Sequence, residues 1–216
     1  DKNDFYLHNN ISSISYHIDE LTTLLQNLAI KPQVIGLTEC RLTTKKEVLT
    51  NINIEGYNYE STPTESSKGG TMIYISQNLQ YKSRKDLNIY KSREIESTFI
   101  EIIEHKGKNK IIGCIYKYPT ISPHEFTNDF VSPLVEKLTH ERKEIIFMGN
   151  FHINLLNHES HEETSVFIDT MYSNGFYPTI NSPTRVSTTS ATLIDNIFDN
   201  EIDKESISGN LSTSIS

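Results

Sequence analysis

The sequence predicts an α+β fold in which stacked β-sheets are covered by helices, built as a single domain over residues 1–216. Segments with the short apolar runs or the alternation typical of strands outnumber those with helical spacing, and the helices are interspersed among them. A length of 216 residues suffices for one large domain, and 11 Tyr and 9 Phe provide bulk for its core. The sequence shows neither an internal repeat nor an interdomain linker.

The first half of the chain predicts one helix followed by a series of strands. Apolar residues at helical spacing indicate the helix, namely Ile14, Ile18, Leu21, Leu25 and Leu28. Its candidate caps are Ser12, Ser13 and Ser15, and Pro32 is expected to end it. Strands are predicted over residues 34–38, 56–59, 71–75, 81–87, 98–103 and 111–116, with a polar loop at 63–70.

The second half adds helices between strands. Residues 97–103 nearly alternate between polar and apolar, which predicts a half-buried antiparallel strand leading into a hairpin turn at 105–110. Residues 125–139 predict a helix with a kink or break at Pro133. A later helix over residues 162–174 is expected to end at Gly175, and a last strand is predicted at 193–198.

The segment between these two helices carries the most information about function. Residues 145–148 form an apolar run that predicts a buried strand, and Gly149 is expected to give the backbone room to turn. Polar residues Asn150 and His152 follow. In proteins built from strands and helices, chemistry gathers at the carboxyl ends of such strands. A hydrolase would be expected to place a carboxylate here, whereas this chain has an amide and an imidazole.

Composition limits the class of protein. A net charge of −8 argues against a generic nucleic-acid coat, although a nuclease needs only a local phosphate-binding strip around a metal. No apolar run has the length of a transmembrane helix, and the first residues do not resemble a signal peptide. We therefore expect an intracellular protein of the nucleus or cytoplasm, with no membrane partner, or a chain whose start is cropped. Cys40 and Cys114 are expected to be buried free thiols.

Polar residues of kinds that act together stand at or near the ends of other predicted elements: Asn10, Glu39, Tyr116 and Asp195. Each of them alone would more often be a structural residue than a functional one. The local sequences around them are more specific. Five motifs occur in order: Asn10-Ile11-Ser12-Ser13-Ile14, Gly36-Leu37-Thr38-Glu39, Ile115-Tyr116-Lys117-Tyr118-Pro119, Gly149-Asn150-Phe151-His152-Ile153-Asn154-Leu155-Leu156 and Ser190-Ala191-Thr192-Leu193-Ile194-Asp195.

Together these motifs resemble the endonuclease domain of non-LTR (LINE-type) retrotransposon reverse transcriptases. That domain belongs to the DNase-I-like, apurinic-endonuclease-like superfamily of endonucleases, exonucleases and phosphatases. The resemblance runs over nearly the whole chain, and Lys68-Gly69-Gly70 and Pro183-Thr184-Arg185 also fit it. It implies a four-layer α/β/β/α sandwich that nicks DNA phosphodiesters with Mg²⁺, or alternatively Mn²⁺, to prime reverse transcription. It also implies a reverse transcriptase domain downstream.

The resemblance also implies roles for single residues. Glu39 matches the metal ligand, and Asn10 matches the amide that supports the metal and the phosphate. Tyr116 matches the phenol that meets the phosphate. Asp195 matches the carboxylate that orients a catalytic His in a final Ser-Asp-His motif.

Two departures from the family pattern put activity in question. The family's Gly-Asp-Phe-Asn motif has Asn150 in place of the Asp that activates the attacking water, and His152 in place of the Asn that orients the phosphate. Loss of a general base typically costs roughly 10²–10⁴-fold in rate. The final Ser-Asp-His motif is absent: residues 208–211 resemble the approach to it, so we expect a C-terminal strand that is incomplete and a domain truncated before the motif.

Three hypotheses follow. The first is a degenerate, truncated endonuclease whose nicking is weak or absent. The second is an active enzyme with altered chemistry, in which His152 is a base or a metal ligand and His158, His161 and Glu162 contribute a transition-metal site. The third is a non-catalytic scaffold that binds DNA, or a pseudogene fragment that folds poorly and exposes a sheet edge.

Overall fold

The computed structural model describes residues 4–201 and 207–211, in which two β-sheets lie face to face. The first sheet contains β1 (Tyr6–Asn10), β2 (Val34–Thr38), β3 (Tyr57–Thr62) and β4 (Thr71–Ser76), in the order β1-β2-β4-β3. Strands β1 and β2 are parallel, and the other neighbours are antiparallel. Strand β1 is therefore at one edge of this sheet.

The second sheet is larger and follows the order β10-β13-β9-β8-β7-β5, with a short β6 that also pairs with β7. Its strands are β5 (Tyr81–Ser83), β6 (Tyr90–Lys91), β7 (Ile95–Ile102), β8 (Lys110–Lys117), β9 (Glu144–Asn150), β10 (Tyr177–Pro178) and β13 (Asp195–Asp199). Only β8 and β9 pair in parallel among these strands of the described chain. A separate two-stranded ribbon joins β11 (Arg185–Val186) to β12 (Ala191–Thr192).

Helices cover the outer faces of both sheets. They are α1 (Ile14–Asn27), α2 (Thr44–Leu49), α3 (Pro123–Phe126), α4 (Ser132–Thr139) and α5 (Glu162–Ser173), with a 3₁₀ turn at Leu155–Asn157. Three apolar clusters separate the layers. The architecture is thus the four-layer α/β/β/α sandwich that the resemblance implied.

The cluster between the sheets explains how closely they pack. Val34, Ile73 and Ile75 of the first sheet meet Ile112, Cys114, Ile146 and Met148 of the second. A Cβ on Gly36 would collide with the Met148 side chain, so a larger residue at this point of β2 would displace Met148 from the layer between the sheets. Both cysteines are buried free thiols, as expected.

Gly149 has a different role from the one that the sequence suggested. It lies inside β9 rather than at a turn, and its φ is not positive. A Cβ at this position would collide with the backbone carbonyl of Ile115 on β8. Glycine is therefore required for the close approach of two strands, and this approach fixes the position of Asn150.

Several predicted elements need correction. Residues 97–103 were expected to form a half-buried strand, but all eight residues of β7 are buried because both faces of the second sheet are covered. Its polar side chains have partners: Thr98 bonds to Thr71, and Glu101 binds Arg84. Helix α1 ends at Asn27, well before Pro32. Ser13 stands at its N-cap, yet within the described chain its side chain makes no capping hydrogen bond.

The break predicted at Pro133 is confirmed and has a specific form. Residues Thr127–Val131 make a π-helical turn between α3 and α4, and Pro133 lies in the first turn of α4. The backbone stays helical through Val131 and Ser132, so the interruption is the wider π-helical turn directly before Pro133, which has no N–H to continue the α-helical pattern. Helix α5 ends before Gly175, whose φ is +78° as a left-handed terminator requires. Most of the Ser-rich end, residues 202–206 and 212–216, lies outside the described residues. No helix among those described is long and apolar enough to cross a membrane.

Candidate functional site

The ends of β1 and β2 bring two of the candidate residues together. Because these strands are parallel and Asn10 is in register with Thr38, the next residue, Glu39, lies beside the Asn10 side chain. Asn10 Nδ2 donates a hydrogen bond to Glu39 Oε1 over 2.8 Å. The sequence did not predict β1, since Tyr6–Asn10 lacks an apolar run, yet this strand is what places Asn10 in the site.

The second sheet aligns three more candidates in one row. Asn150 at the end of β9 is in register with Tyr116 on β8 and, on its other side, with Asp195 on β13. The row faces Glu39, whose charge acts on the Tyr116 hydroxyl, on the His152 ring and on the Asp195 carboxyl. The structure thus brings together all six residues that the sequence singled out.

Glu39 is held ionised by its neighbours. Burial opposes ionisation, but hydrogen bonds from Asn10 and Arg41 outweigh it and lower the pKa of Glu39 below its ordinary value. Arg41 Nη2 lies 3.2 Å from Glu39 Oε2. Since Asn10 uses its amide nitrogen to bind Glu39, its direct effect in this structure is to orient the carboxylate.

His152 is fixed in one tautomer by a hydrogen bond to the backbone of β8. Its Nδ1 lies 2.7 Å from the Lys117 carbonyl oxygen, which can only accept, so Nδ1 carries the proton and Nε2 carries the lone pair. Burial lowers the pKa of His152, against the opposing effects of this hydrogen bond and of Glu39. The ring is therefore neutral at neutral pH. It stands edge-on to Tyr116 with a 5.5 Å separation between ring centroids.

Tyr116 is a hydrogen-bond donor in this setting. It is almost fully buried, and burial together with the Glu39 charge raises the pKa of its hydroxyl. A phenol that stays protonated can donate a hydrogen bond to a phosphate oxygen but cannot serve as a base near neutral pH.

Asn150 is buried and only partly satisfied. Its Oδ1 accepts a hydrogen bond from the His152 backbone N–H over 3.1 Å. Its Nδ2 has no hydrogen-bond partner among the described residues, and the same is true of Asp195 Oδ1 across the strand pair. The two side chains interact closely enough for Asn150 to lower the pKa of Asp195, but outside hydrogen-bond geometry. An unmet donor and an unmet acceptor therefore lie on adjacent strands.

Asp195 has an unusually basic carboxyl. Its side chain is only 14% exposed, and burial raises its pKa to about 6, against the opposing effects of Arg185 and of a hydrogen bond from Thr184. The Glu39 charge raises it further. Thr184 Oγ1 donates to Asp195 Oδ2 over 3.1 Å, and Arg185 Nε lies 3.9 Å from the same oxygen.

This environment predicts that Asp195→Asn stabilises the protein at alkaline pH. Between about pH 4 and pH 6 the folded chain binds more protons at this carboxyl than the unfolded chain does, so its contribution to the unfolding free energy falls as pH rises through that window. Relative to an unfolded pKa of about 3.9, the penalty above pH 6 reaches up to about 3 kcal/mol. Denaturant unfolding from pH 4 to pH 8 measures it. Asp169→Asn, at an exposed position of α5, is the matched control. An Asp195→Asn variant less stable than the parent at pH 8 would contradict the assignment.

Backbone strain is concentrated at the same edge. Within the described residues, seven residues other than glycine have positive φ, and five of them are Ser12, Ser13, Glu39, Arg41 and His152. Such conformations cost of order 1–3 kcal/mol each and cluster at functional sites. The strain indicates that the strand ends are shaped to present these side chains.

Arg41 is the functional candidate that reasoning from sequence missed. It lines the cleft of about 910 Å³ that also contains Asn10, Glu39, Arg185 and Asp195. Its position two residues after Glu39 was the available signal. Arg41 follows β2 of the first sheet and pairs with Glu39, while Arg185 lies on β11 of the two-stranded ribbon and pairs with Asp195, so each carboxylate has a cationic neighbour.

The residues present fit a hard divalent cation. Mg²⁺ is usually bound through one or two carboxylates together with substrate phosphates. Glu39 supplies an ionised carboxylate at the cleft, held in place by hydrogen bonds from Asn10 and Arg41. The transition-metal site proposed around His158, His161 and Glu162 does not form. His161 instead caps α5 by accepting from Thr164 N, and no group of three metal-binding side chains is found in the described chain.

Comparisons with known proteins establish the fold. No protein-family model and no curated protein matches the sequence. Among solved structures, the endonuclease domain of TRAS1, a telomere-specific non-LTR retrotransposon, aligns with a TM-score of 0.61 and 11% identity over 92% of this chain and 86% of that chain. AP endonuclease LMAP from Leishmania major aligns with a TM-score of 0.60 and 12% identity over 90% and 77%.

The fold also occurs with a different activity. The mannosyl-6-phosphatase Bt3783 from Bacteroides thetaiotaomicron aligns with a TM-score of 0.60 and 11% identity over 91% of this chain and 85% of that chain. At such identities the likeness shows the fold alone, because one fold carries several chemistries. Function must be argued from the site.

Proposed function

We propose, from the premise that this chain has the DNase-I-like fold of the endonuclease/exonuclease/phosphatase superfamily, that it hydrolyses phosphodiester bonds in DNA with a divalent metal ion. One observation carries the proposal: the Asn10–Glu39 pair of the first sheet faces the Tyr116, Asn150 and Asp195 row of the second. These groups offer one ionised carboxylate for a metal and several donors for a phosphate.

Each residue has a defined task in this proposal. Glu39 would hold Mg²⁺, or alternatively Mn²⁺, and Asn10 orients its carboxylate. The bound metal supplies charge stabilisation for the phosphorane-like transition state. Tyr116 donates a hydrogen bond to a phosphate oxygen, while Arg41 attracts the phosphate at the cleft. Asn150 donates through Nδ2 but cannot accept a proton at neutral pH.

We infer further that the chain is a retrotransposon-type endonuclease domain that nicks target DNA ahead of reverse transcription, and that its nicking is weak. Support comes from the ordered sequence motifs and from the shared fold of the TRAS1 domain. The weakness follows from the amide at Asn150. In the whole protein a reverse transcriptase domain would follow this one.

The alternative is a DNA-binding scaffold without catalysis. Asn150 favours it, since the position next to the attacking water carries no base of its own. Binding of the same duplex with no metal-dependent nicking would support this alternative over the enzyme.

Nicking of supercoiled plasmid DNA tests the proposed function. We expect slow conversion to open circles in Mg²⁺ or Mn²⁺, abolished by EDTA, because the proposed reaction needs the metal at Glu39. Glu39→Gln, purified in parallel, controls for contaminating nucleases, and His158→Ala, in an exposed loop, should leave the rate unchanged. Equal nicking by the parent and Glu39→Gln would overturn the proposal.

A further inference from the structure

The amide at Asn150 raises the question of where the proton of the attacking water goes. Asn150 Oδ1 is already occupied by the His152 backbone N–H, and Nδ2 can only donate. Phosphodiester hydrolysis by water is faster when a proton acceptor lies within hydrogen-bond reach of that water. The side chains that neighbour Asn150 are the candidates for this acceptor.

Asp195 has the geometry for this task. It is the residue directly opposite Asn150 on β13, and its two oxygens are used differently. Thr184 and Arg185 hold Oδ2, whereas Oδ1 has no hydrogen-bond partner in the described part of the chain. A water that enters beside Asn150 can accept from Nδ2 and donate to Asp195 Oδ1, which satisfies both unmatched atoms.

His152 is the competing acceptor, through the lone pair of its Nε2. Burial and the charges of Arg185 and Lys117 disfavour the imidazolium that protonation would create, against the Lys117 carbonyl hydrogen bond and the Glu39 charge. The opposite holds at Asp195, where burial and the neighbouring Glu39 carboxylate favour the protonated form, against Arg185. These are the charged groups that act on Asp195 from β11 and from the end of β2.

Resting on the proposed function, we propose that Asp195 accepts the proton of the attacking water in this chain. The water oxygen forms a bond to phosphorus, and its proton moves to Asp195 Oδ1. The bond between phosphorus and the leaving alkoxide breaks, and the alkoxide takes a proton from solvent water. Asp195 then returns its proton to solvent.

A double-mutant cycle tests this assignment. Asp195→Asn should lower the single-turnover nicking rate by about 10²-fold or more in the parent chain. In the Asn150→Asp background the new carboxylate takes over, so the same change should cost less than about tenfold. An equal loss in both backgrounds would show that Asp195 only positions other groups, and would overturn the proposal.

The dependence of the nicking rate on pH is a second measurement. If Asp195 only positioned other groups, this dependence would be the same in the parent and in Asp195→Asn. We expect the parent rate to rise through about pH 6 and then level off, following the Asp195 carboxyl. This rise should vanish in Asp195→Asn and persist in His152→Asn. Loss of the rise in His152→Asn, with persistence in Asp195→Asn, would assign the proton to His152 instead.

The outcomes separate this inference from the function on which it rests. Metal-dependent nicking by Asn150→Asp together with an inactive parent chain would overturn the role of Asp195 and leave the proposed function standing. Absence of nicking in both chains would overturn the proposed function itself. The unfolding measurements on Asp195→Asn confirm that the variant is folded under the conditions of the assay.

Discussion

Asn150→Asp is expected to increase metal-dependent nicking by about 10²-fold, because a carboxylate where the family motif has its water-activating Asp would replace the less directly placed Asp195 as proton acceptor, and a positioned general base contributes roughly 10²–10⁴-fold. The substitution changes one amide nitrogen to oxygen at a position whose backbone is already fixed by pairing with β8 and β13. The His152 N–H that binds Asn150 Oδ1 can bind a carboxylate oxygen equally well. The gain therefore requires no rearrangement.

The new carboxylate would lie next to Asp195. Two neighbouring carboxylates share a proton at low pH, so the gain should appear mainly above neutral pH, when both are ionised. Nicking rates at saturating Mg²⁺ from pH 6 to pH 9 measure it. Asn128→Asp, at an exposed site on the opposite side of the second sheet from the cleft, adds the same charge as a control. An unchanged rate in Asn150→Asp would show that base strength does not limit this chain.

Glu39→Gln should lower nicking by about 10³-fold or more. Without the metal ion's charge the transition state loses several kcal/mol of stabilisation, so the barrier rises. Glutamine keeps the size of the side chain and an oxygen for the Asn10 amide, but it loses the negative charge that attracts the cation and pairs with Arg41. The left-handed backbone at position 39 is equally strained with either residue.

Two measurements separate a metal role from a structural one. Calorimetric titration with Mg²⁺ should show binding by the parent chain and much weaker binding by Glu39→Gln, and excess Mn²⁺ should recover part of the rate. Glu159→Gln, at a side chain that is 88% exposed, is the matched control. Loss of nicking with unchanged metal binding would place the ion elsewhere in the cleft.

Strand prediction succeeded where local pattern and burial agree. The apolar runs of β2, β4 and β9 are detectable because both faces of these strands are covered. Strand β1 was missed because three of its five residues are polar and it lies at a sheet edge. Alternation in β7 was misleading, since its polar side chains are buried against partners from distant segments.

The sequence by itself determined which chemical groups stand at the strand ends, and that an amide, Asn150, occupies the place where the family motif has Asp. These are local properties, which the motifs and their order along the chain make recognisable. Only the tertiary structure decided that Arg41 pairs with Glu39, that His161 caps a helix, and that Asp195 keeps one oxygen unmatched opposite Asn150. The pKa of a carboxyl depends on burial and on charges brought near by chain segments distant in sequence, and no local pattern records those distances.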